Sequence, residues 1–172
     1  MRETPEEIAE LQSLLDRSLA GAGEHLRSIF VGRTIAAGQL VQVLDGMCVL
    51  AVATVTPKGE PRISGADGHF LHGRWVFGTA RNAAKARNLA ANPAASVAHM
   101  RGEDLGVFVH GKVEVLNPAD GEPHPAWPET LSHLKDFYGH DAFDWETGAI
   151  YYRLEPQWMA VYAPDINRLL TG

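Results

Sequence analysis

The run GVFVHGKVEVL, Gly106 to Leu116, alternates with period two, so that Val107, Val109, Gly111, Val113 and Val115 fall on one side of an extended chain. A helix would scatter those residues around its circumference, so the pattern requires a strand with one buried face. A strand of that length needs partners, and the flanking chain supplies them. MCVLAVATVT, from Met47, is a β-branched apolar run ended by PKGE, whose Pro57 and Gly59 suit a tight turn. EPRISGADGHFL follows, then the turn pair His72-Gly73, then RWVFGT, which together predict a three-stranded antiparallel meander. AASVAHM adds a short strand, and AIYYRLEPQWMAVYAP adds one long strand or two broken ones. At least six strands with few helices between them predict a mainly β, α+β fold: an antiparallel barrel with helices at its ends.

Helical pattern is concentrated at the N-terminus. In TPEEIAELQSLLDRSLAGAG, Thr4 and Glu7 form a capping box, Pro5 takes the first helical position, and Ile8, Leu11, Leu15 and Leu19 share a face that Gly21 and Gly23 end. A second helix is predicted across TIAAGQLVQVLDG. Residues 1–45 therefore read as an N-terminal helical extension that packs on the domain or on a neighbouring subunit, 46–165 as the barrel domain, and 166–172 as a C-terminal tail. The proline-rich segment from Asn117 to Pro128 reads as a loop, and WPETLSHLKDFYG as a further helix.

Charge narrows the function classes. The chain has 21 acidic and 15 basic residues and a net charge of −6, against the basic face of a general nucleic-acid binder. Its one cysteine, Cys48, excludes an internal disulfide and, within an apolar strand, reads as a buried inert thiol. No metal-ligand spacing stands out. The first residues carry no apolar signal core and no run is long enough for a membrane span, so a cytoplasmic protein is expected.

Against that acidic background, FGTARNAAKARNLAANP stands out, with Arg81, Lys85 and Arg87 on a short Ala-rich helix predicted from about Asn82 to Ala91. Helical spacing puts Arg81, Lys85 and Asn88 near one face, and the preceding strand ends at Gly78-Thr79, close to the first unbonded N–H groups of the helix. Cations in a first turn oppose the helix dipole unless an anion compensates. The arrangement suits a phosphate; a solvated helix face is the bland alternative. The strand PRISGADGHF has small residues on both faces, Arg62, Ser64, Ala66 and Gly68 on one, Ile63, Gly65, Asp67 and His69 on the other. It is a poor core element that would let a flat ring lie against the backbone, unless it is an edge strand or a bulge. His69, His72, His99 and His110 are candidates to line such a site, His72 more simply as a turn residue and His110 at the surface or an interface.

In order and spacing, VLAVATVTPKGEPRIS, the hairpin into WVFGTA, Lys85 with Asn88 and Leu89 in KARNLAANP, and GVFVHGKVEV resemble the pyridoxamine 5′-phosphate oxidase-like flavin-binding split barrel. The resemblance covers about Met47 to Val115 and, more weakly, the chain to Pro164. It implies that Arg62, Thr79 and Lys85 hold a cofactor phosphate, with Gly78, Arg81 and Asn88 in support. It also implies that the ring lies along Ile63, Ser64, Gly65 and Ala66, at the interface of a homodimer. Many members carry Arg where Ala84 stands, with Arg81 as a substitute in this chain. The oxidase itself uses Gln where this chain has Leu105 and Gly106, and its C-terminal substrate segment has no counterpart in QWMAVYAPDINRLLTG. The expected function is thus a flavin-dependent oxidoreductase of the flavin/deazaflavin type, using FMN or F420 to move a hydride to or from a small conjugated substrate. FMN is placed ahead of F420, whose acidic tail would call on Arg81, Arg87 and the Arg27/Arg33 region. The alternative is a non-catalytic carrier or sensor of flavin, F420 or haem.

Overall fold

Six antiparallel strands close into a barrel in the computed structural model, which describes residues 2–142, 145 and 147–170. The strands are β1 (Met47–Val55), β2 (Pro61–Leu71), β3 (Arg74–Ala80), β4 (Ala94–Arg101), β5 (Leu105–Val115) and β6 (Ala149–Tyr162), and they run in the order β1-β2-β3-β6-β5-β4 around the barrel. The helices are α1 (Pro5–Ala20), α2 (Glu24–Phe30), α3 (Ala37–Val43), α4 (Ala84–Ala91), α5 (Trp127–Tyr138) and α6 (Ile166–Leu170). This is the α+β antiparallel barrel expected from the strand pattern, and the split-barrel architecture that the resemblance implies.

Period-two burial drives closure. Leu50 and Val52 of β1, Trp75 and Phe77 of β3, Val107 and Val109 of β5 and Leu154 of β6 all point inward with 2% exposure or less. Gly68 of β2 lies under Leu50, where a Cβ would overlap the leucine side chain. At the His110/Gly111 register shift, a Cβ on Gly111 would run into the carbonyl of Glu155, so only glycine lets β5 approach β6 there. β6 is one long strand, and Val115, at the end of β5, is 38% exposed where the inward alternation runs out.

The hairpin turn is as expected, with His72 and Gly73 both at positive φ (53° and 73°). Helix α1 has its capping box, Thr4 Oγ1 accepting from the Glu7 N–H and Glu7 accepting from the Thr4 N–H. Leu11, Leu14 and Leu15 of α1 and Leu40 and Val43 of α3 join the same hydrophobic core as the barrel. Two findings correct the sequence reading and one adds to it. A third helix, α2, lies between the two expected ones, and α4 starts at Ala84, two residues late; α6 adds a helical turn in the C-terminal tail. A second cluster, with Val76 and Tyr151 on the strands and Leu134 and Trp127 on α5, holds α5 against the outer face of β3 and β6. Among the described residues, no helix is long and apolar enough to cross a membrane.

Candidate cofactor site

Strands β2 and β3 pair over only four residues, from Leu71↔Arg74 to Gly68↔Phe77, and then part. Beyond that point β2 continues on β1 alone, and β3 on β6. The residues from Pro61 to Asp67 thus present one strand edge to a split, with Gly78, Thr79 and the start of α4 on the other side.

Lys85 spans this split. It is 8% exposed, and its Nζ donates to the Gly65 carbonyl at 2.8 Å, taking the place of the missing β3 partner. Burial alone pushes its pKa down, and among the described residues no carboxylate pairs with it. A largely desolvated ammonium answered by one neutral carbonyl is a site that an anion would satisfy better. Helix α4 begins after Ala83, which provides no side-chain cap, and its first ladder bond runs from the Arg87 N–H to the Ala83 carbonyl. The N–H groups of Ala84, Lys85 and Ala86 are therefore left without intrahelical acceptors. Along β2, a methyl group placed on Gly65 would meet nothing within 4 Å. These features fit a planar, phosphate-bearing cofactor in the chemistry they offer: donors at Lys85 and the α4 N-terminus, and an open strip of backbone at Gly65.

The other expected residues are distributed unevenly. Thr79 and Gly78 line a cavity of about 370 Å³ beside the split, with Asp67, His69, Tyr138 and Tyr151. A Cβ on Gly78 would come within 2.6 Å of the Tyr151 ring, which explains that glycine. Ile63 and Ser64 are exposed and Ala66 is half-buried against the core. Arg62 sits at the mouth of the split, but its guanidinium pairs with Glu60 at 2.7 Å. Arg81 is not on the face of α4 with Lys85: it precedes the helix, and its Nη2 donates to the Asn117 carbonyl at 2.8 Å. Asn88 is buried and gives its amide N–H to Thr54 Oγ1 at 3.0 Å, tying α4 to β1 rather than reaching the helix start. Arg87 turns back to the Asn82 carbonyl.

The histidines separate by environment. His69 is buried with its Nε2 3.0 Å from the Tyr138 hydroxyl, and burial, then His133 and Arg2, lower its pKa to about 4. His99 is buried at the other end of β4, its Nδ1 on the Val49 carbonyl and its Nε2 accepting from Arg101. His110 is exposed and stacks on Trp158, with centroids 4.8 Å apart. His72 bridges Glu7 and Glu129, each at 3.0 Å. Cys48 is buried, and burial raises its pKa, as befits an inert thiol. Sequence reasoning missed Asp67, Tyr138, Tyr151 and His133 as neighbours of the cavity. The two tyrosines and His133 come from α5 and β6, and no local pattern links them to β2.

Three comparisons bear on this geometry. A family model described as pyridoxamine 5′-phosphate oxidase matches residues 37–157. A search of curated proteins returns no match. Among solved structures, a conserved hypothetical protein of Mycobacterium tuberculosis is 17% identical with a TM-score of 0.62, over 80% of this chain and 90% of that one. The haem storage protein HutZ of Vibrio cholerae is 17% identical with a TM-score of 0.59, over 73% and 92%. A structure named F420 reductase is 20% identical with a TM-score of 0.53, over 69% and 93%. At these identities the likeness is one of fold.

Proposed function

Because the chain belongs to the pyridoxamine 5′-phosphate oxidase family, we propose that it binds a phosphorylated tricyclic cofactor in the split between β2 and β3, FMN ahead of F420, and serves as an oxidoreductase. The observation that carries this reading is Lys85, a buried ammonium whose hydrogen-bond partner among the described residues is the Gly65 carbonyl, at the point where the two strands separate. An incoming phosphate would offer it a charge-assisted contact, and Thr79, the N–H groups of α4 and Arg62, once exchanged from Glu60, are the further donors in reach of the split. Such a cofactor supplies the hydride chemistry when bound. The chain's own part is to hold the phosphate, lay the ring along Gly65 and Ala66, and admit a small conjugated substrate to the adjoining apolar cavity.

The reading includes a cytoplasmic homodimer. Val49, Ile63 and Met100, on neighbouring strands, are 65%, 74% and 60% exposed, more apolar surface than isolated positions need. A second copy seated over β1, β2 and β4 would cover them and complete the open side of the ring site.

The test is a titration of apoprotein with FMN and with F420, followed by fluorescence. Micromolar or tighter binding of FMN, at least as tight as that of F420, supports FMN as the cofactor; F420 bound with FMN at least tenfold weaker reverses the order, and binding of neither rejects the site. Reduction of bound flavin by NAD(P)H, or oxidation of reduced F420 by an acceptor, separates an enzyme from a carrier.

A further inference from the structure

Where β2 and β3 part, two polar side chains face the cavity without a partner of their own. On β2, Ala66 packs against the core and Gly68 lies under Leu50, so alternation turns Asp67 to the outer face of the barrel. Had the pairing run one residue beyond Gly68↔Phe77, Asp67 would have met Gly78. Gly78 instead pairs with Tyr151 of β6, whose ring covers the outer side of that glycine. Asp67 and Tyr151 thus flank the parting on one face, and both line the cavity of about 370 Å³. Tyr151 is 8% exposed, and its hydroxyl, not fully enclosed, bonds no other described residue. Asp67 stands exposed at the mouth, and its carboxylate makes no hydrogen bond or ion pair with a described residue.

The charge of the wall is one-sided. Of the described residues that line the cavity, Asp67, His69, Tyr138 and Tyr151 can ionise, and none is a lysine or arginine. Burial, then His133 and Arg2, hold the His69 pKa at about 4, so its ring is neutral near neutral pH and offers Asp67 no counter-charge. Burial, then Tyr138, push the Tyr151 pKa up to about 12, so this phenol keeps its proton and can donate. Burial, then the Asp67 charge, raise that of Tyr138, which shows that the carboxylate's field reaches the interior. Lys85 does not cancel that field, since burial alone shifts its pKa and its Nζ is turned to Gly65.

We infer that the cavity takes a planar aromatic ligand bearing a cationic nitrogen group, with Asp67 pairing to the cation and the Tyr151 hydroxyl hydrogen-bonding to the ligand. Val76 and Leu134 supply the apolar walls for the ring. A carboxylate or phosphate in the same place would meet an unscreened negative charge with no cation in reach, which is discrimination by repulsion as well as attraction. The two sides of the split then have opposite tastes: Lys85 and the start of α4 favour an anion, and Asp67 favours a cation. A phosphorylated cofactor is thereby kept from entering the cavity phosphate first. That this ligand is the substrate rests on the proposed oxidoreductase function; the charge preference of the cavity does not.

Three probes share one ring and differ in charge: 4-aminobenzamidine, 4-aminobenzamide and 4-aminobenzoate, which are cationic, neutral and anionic near neutral pH. Calorimetric titration into cofactor-free protein at low salt should rank them in that order, the amidine at least tenfold tighter than the benzoate. Asp67→Asn should bring the amidine down to the affinity of the amide and leave the amide within threefold of wild type. Tyr151→Phe should weaken the amidine and the amide alike, about threefold, which places the ring inside the cavity and not on the outer surface beside Asp67. The inference is overturned if wild-type protein binds none of the three, if the amide or the benzoate equals the amidine, if Asp67→Asn preserves the order, or if Tyr151→Phe changes neither affinity. The outcomes separate from those of the cofactor titration. Charge order intact with no FMN or F420 bound leaves the cavity assigned and removes the oxidoreductase reading, whereas FMN bound with the charge order lost removes the cationic ligand alone.

Discussion

Lys85 Nζ lies 2.8 Å from the carbonyl oxygen of Gly65 and so joins α4 to β2 across a gap that β3 leaves unpaired. The contact holds a buried ammonium against a neutral partner that it would exchange for, or share with, a charged one. Lys85→Ala should weaken FMN binding at least tenfold, because a charge-assisted hydrogen bond contributes about 1.5–3 kcal/mol. Fluorescence titration measures this, and an unchanged dissociation constant returns Lys85 to a structural role.

The proposed homodimer can be tested on one strand. Ile63 is 74% exposed and follows Arg62 on the edge of the split. In a two-fold interface a substitution counts twice, so Ile63→Lys should set two new charges into an apolar contact. Light scattering should give wild-type protein twice the chain mass of 18.7 kDa and the variant a smaller mass at the same concentration. Wild-type protein at the single-chain mass when loaded with cofactor rejects the assembly.

His72 clamps three elements, with Glu7 of α1 on one ring nitrogen and Glu129 of α5 on the other. Burial opposes its charged form, but the hydrogen bonds to Glu7 and Glu129 outweigh it and raise the pKa. A raised folded-state pKa means stability that is full below the unfolded value of about 6.5 and is lost as pH rises through the folded value. His72→Asn keeps a residue that tolerates the positive φ and removes the charge. Urea midpoints should show wild type more stable than the variant on the acid side of neutrality, with the gap narrowing as pH rises. A gap independent of pH rules out the charged clamp.

Two glycines should respond oppositely to the same substitution. A Cβ on Gly111 meets the backbone carbonyl of Glu155, which no rotamer can relieve, so Gly111→Ala should cost about 3 kcal/mol or more. A Cβ on Gly65 meets nothing, so Gly65→Ala should leave the urea midpoint close to wild type while weakening FMN binding by intruding on the ring site. Equal destabilisation by both would contradict the close β5–β6 approach, and unimpaired FMN binding by Gly65→Ala would move the ring elsewhere.

What the sequence determined by itself is whatever depends on neighbours in the chain. The alternation of β5, the His72-Gly73 turn and the Thr4/Glu7 capping box each follow from period or local hydrogen bonding, and each was readable. The same logic failed where local signals are faint. EHLRSIF of α2 is seven residues behind Gly23, which offers no capping side chain, and nothing in ARNAAKA marks Ala84 rather than Asn82 as the start of α4. That two-residue difference separated Arg81 from Lys85. Tertiary structure alone decided that Lys85 meets Gly65, that Asn88 turns to Thr54, and that His69 of β2 joins His133 and Tyr138 of α5. Those contacts arise from strand register, barrel closure and the docking of α5. Side-chain periodicity says which way a residue faces along its own element, and only the packing of distant elements says what it faces.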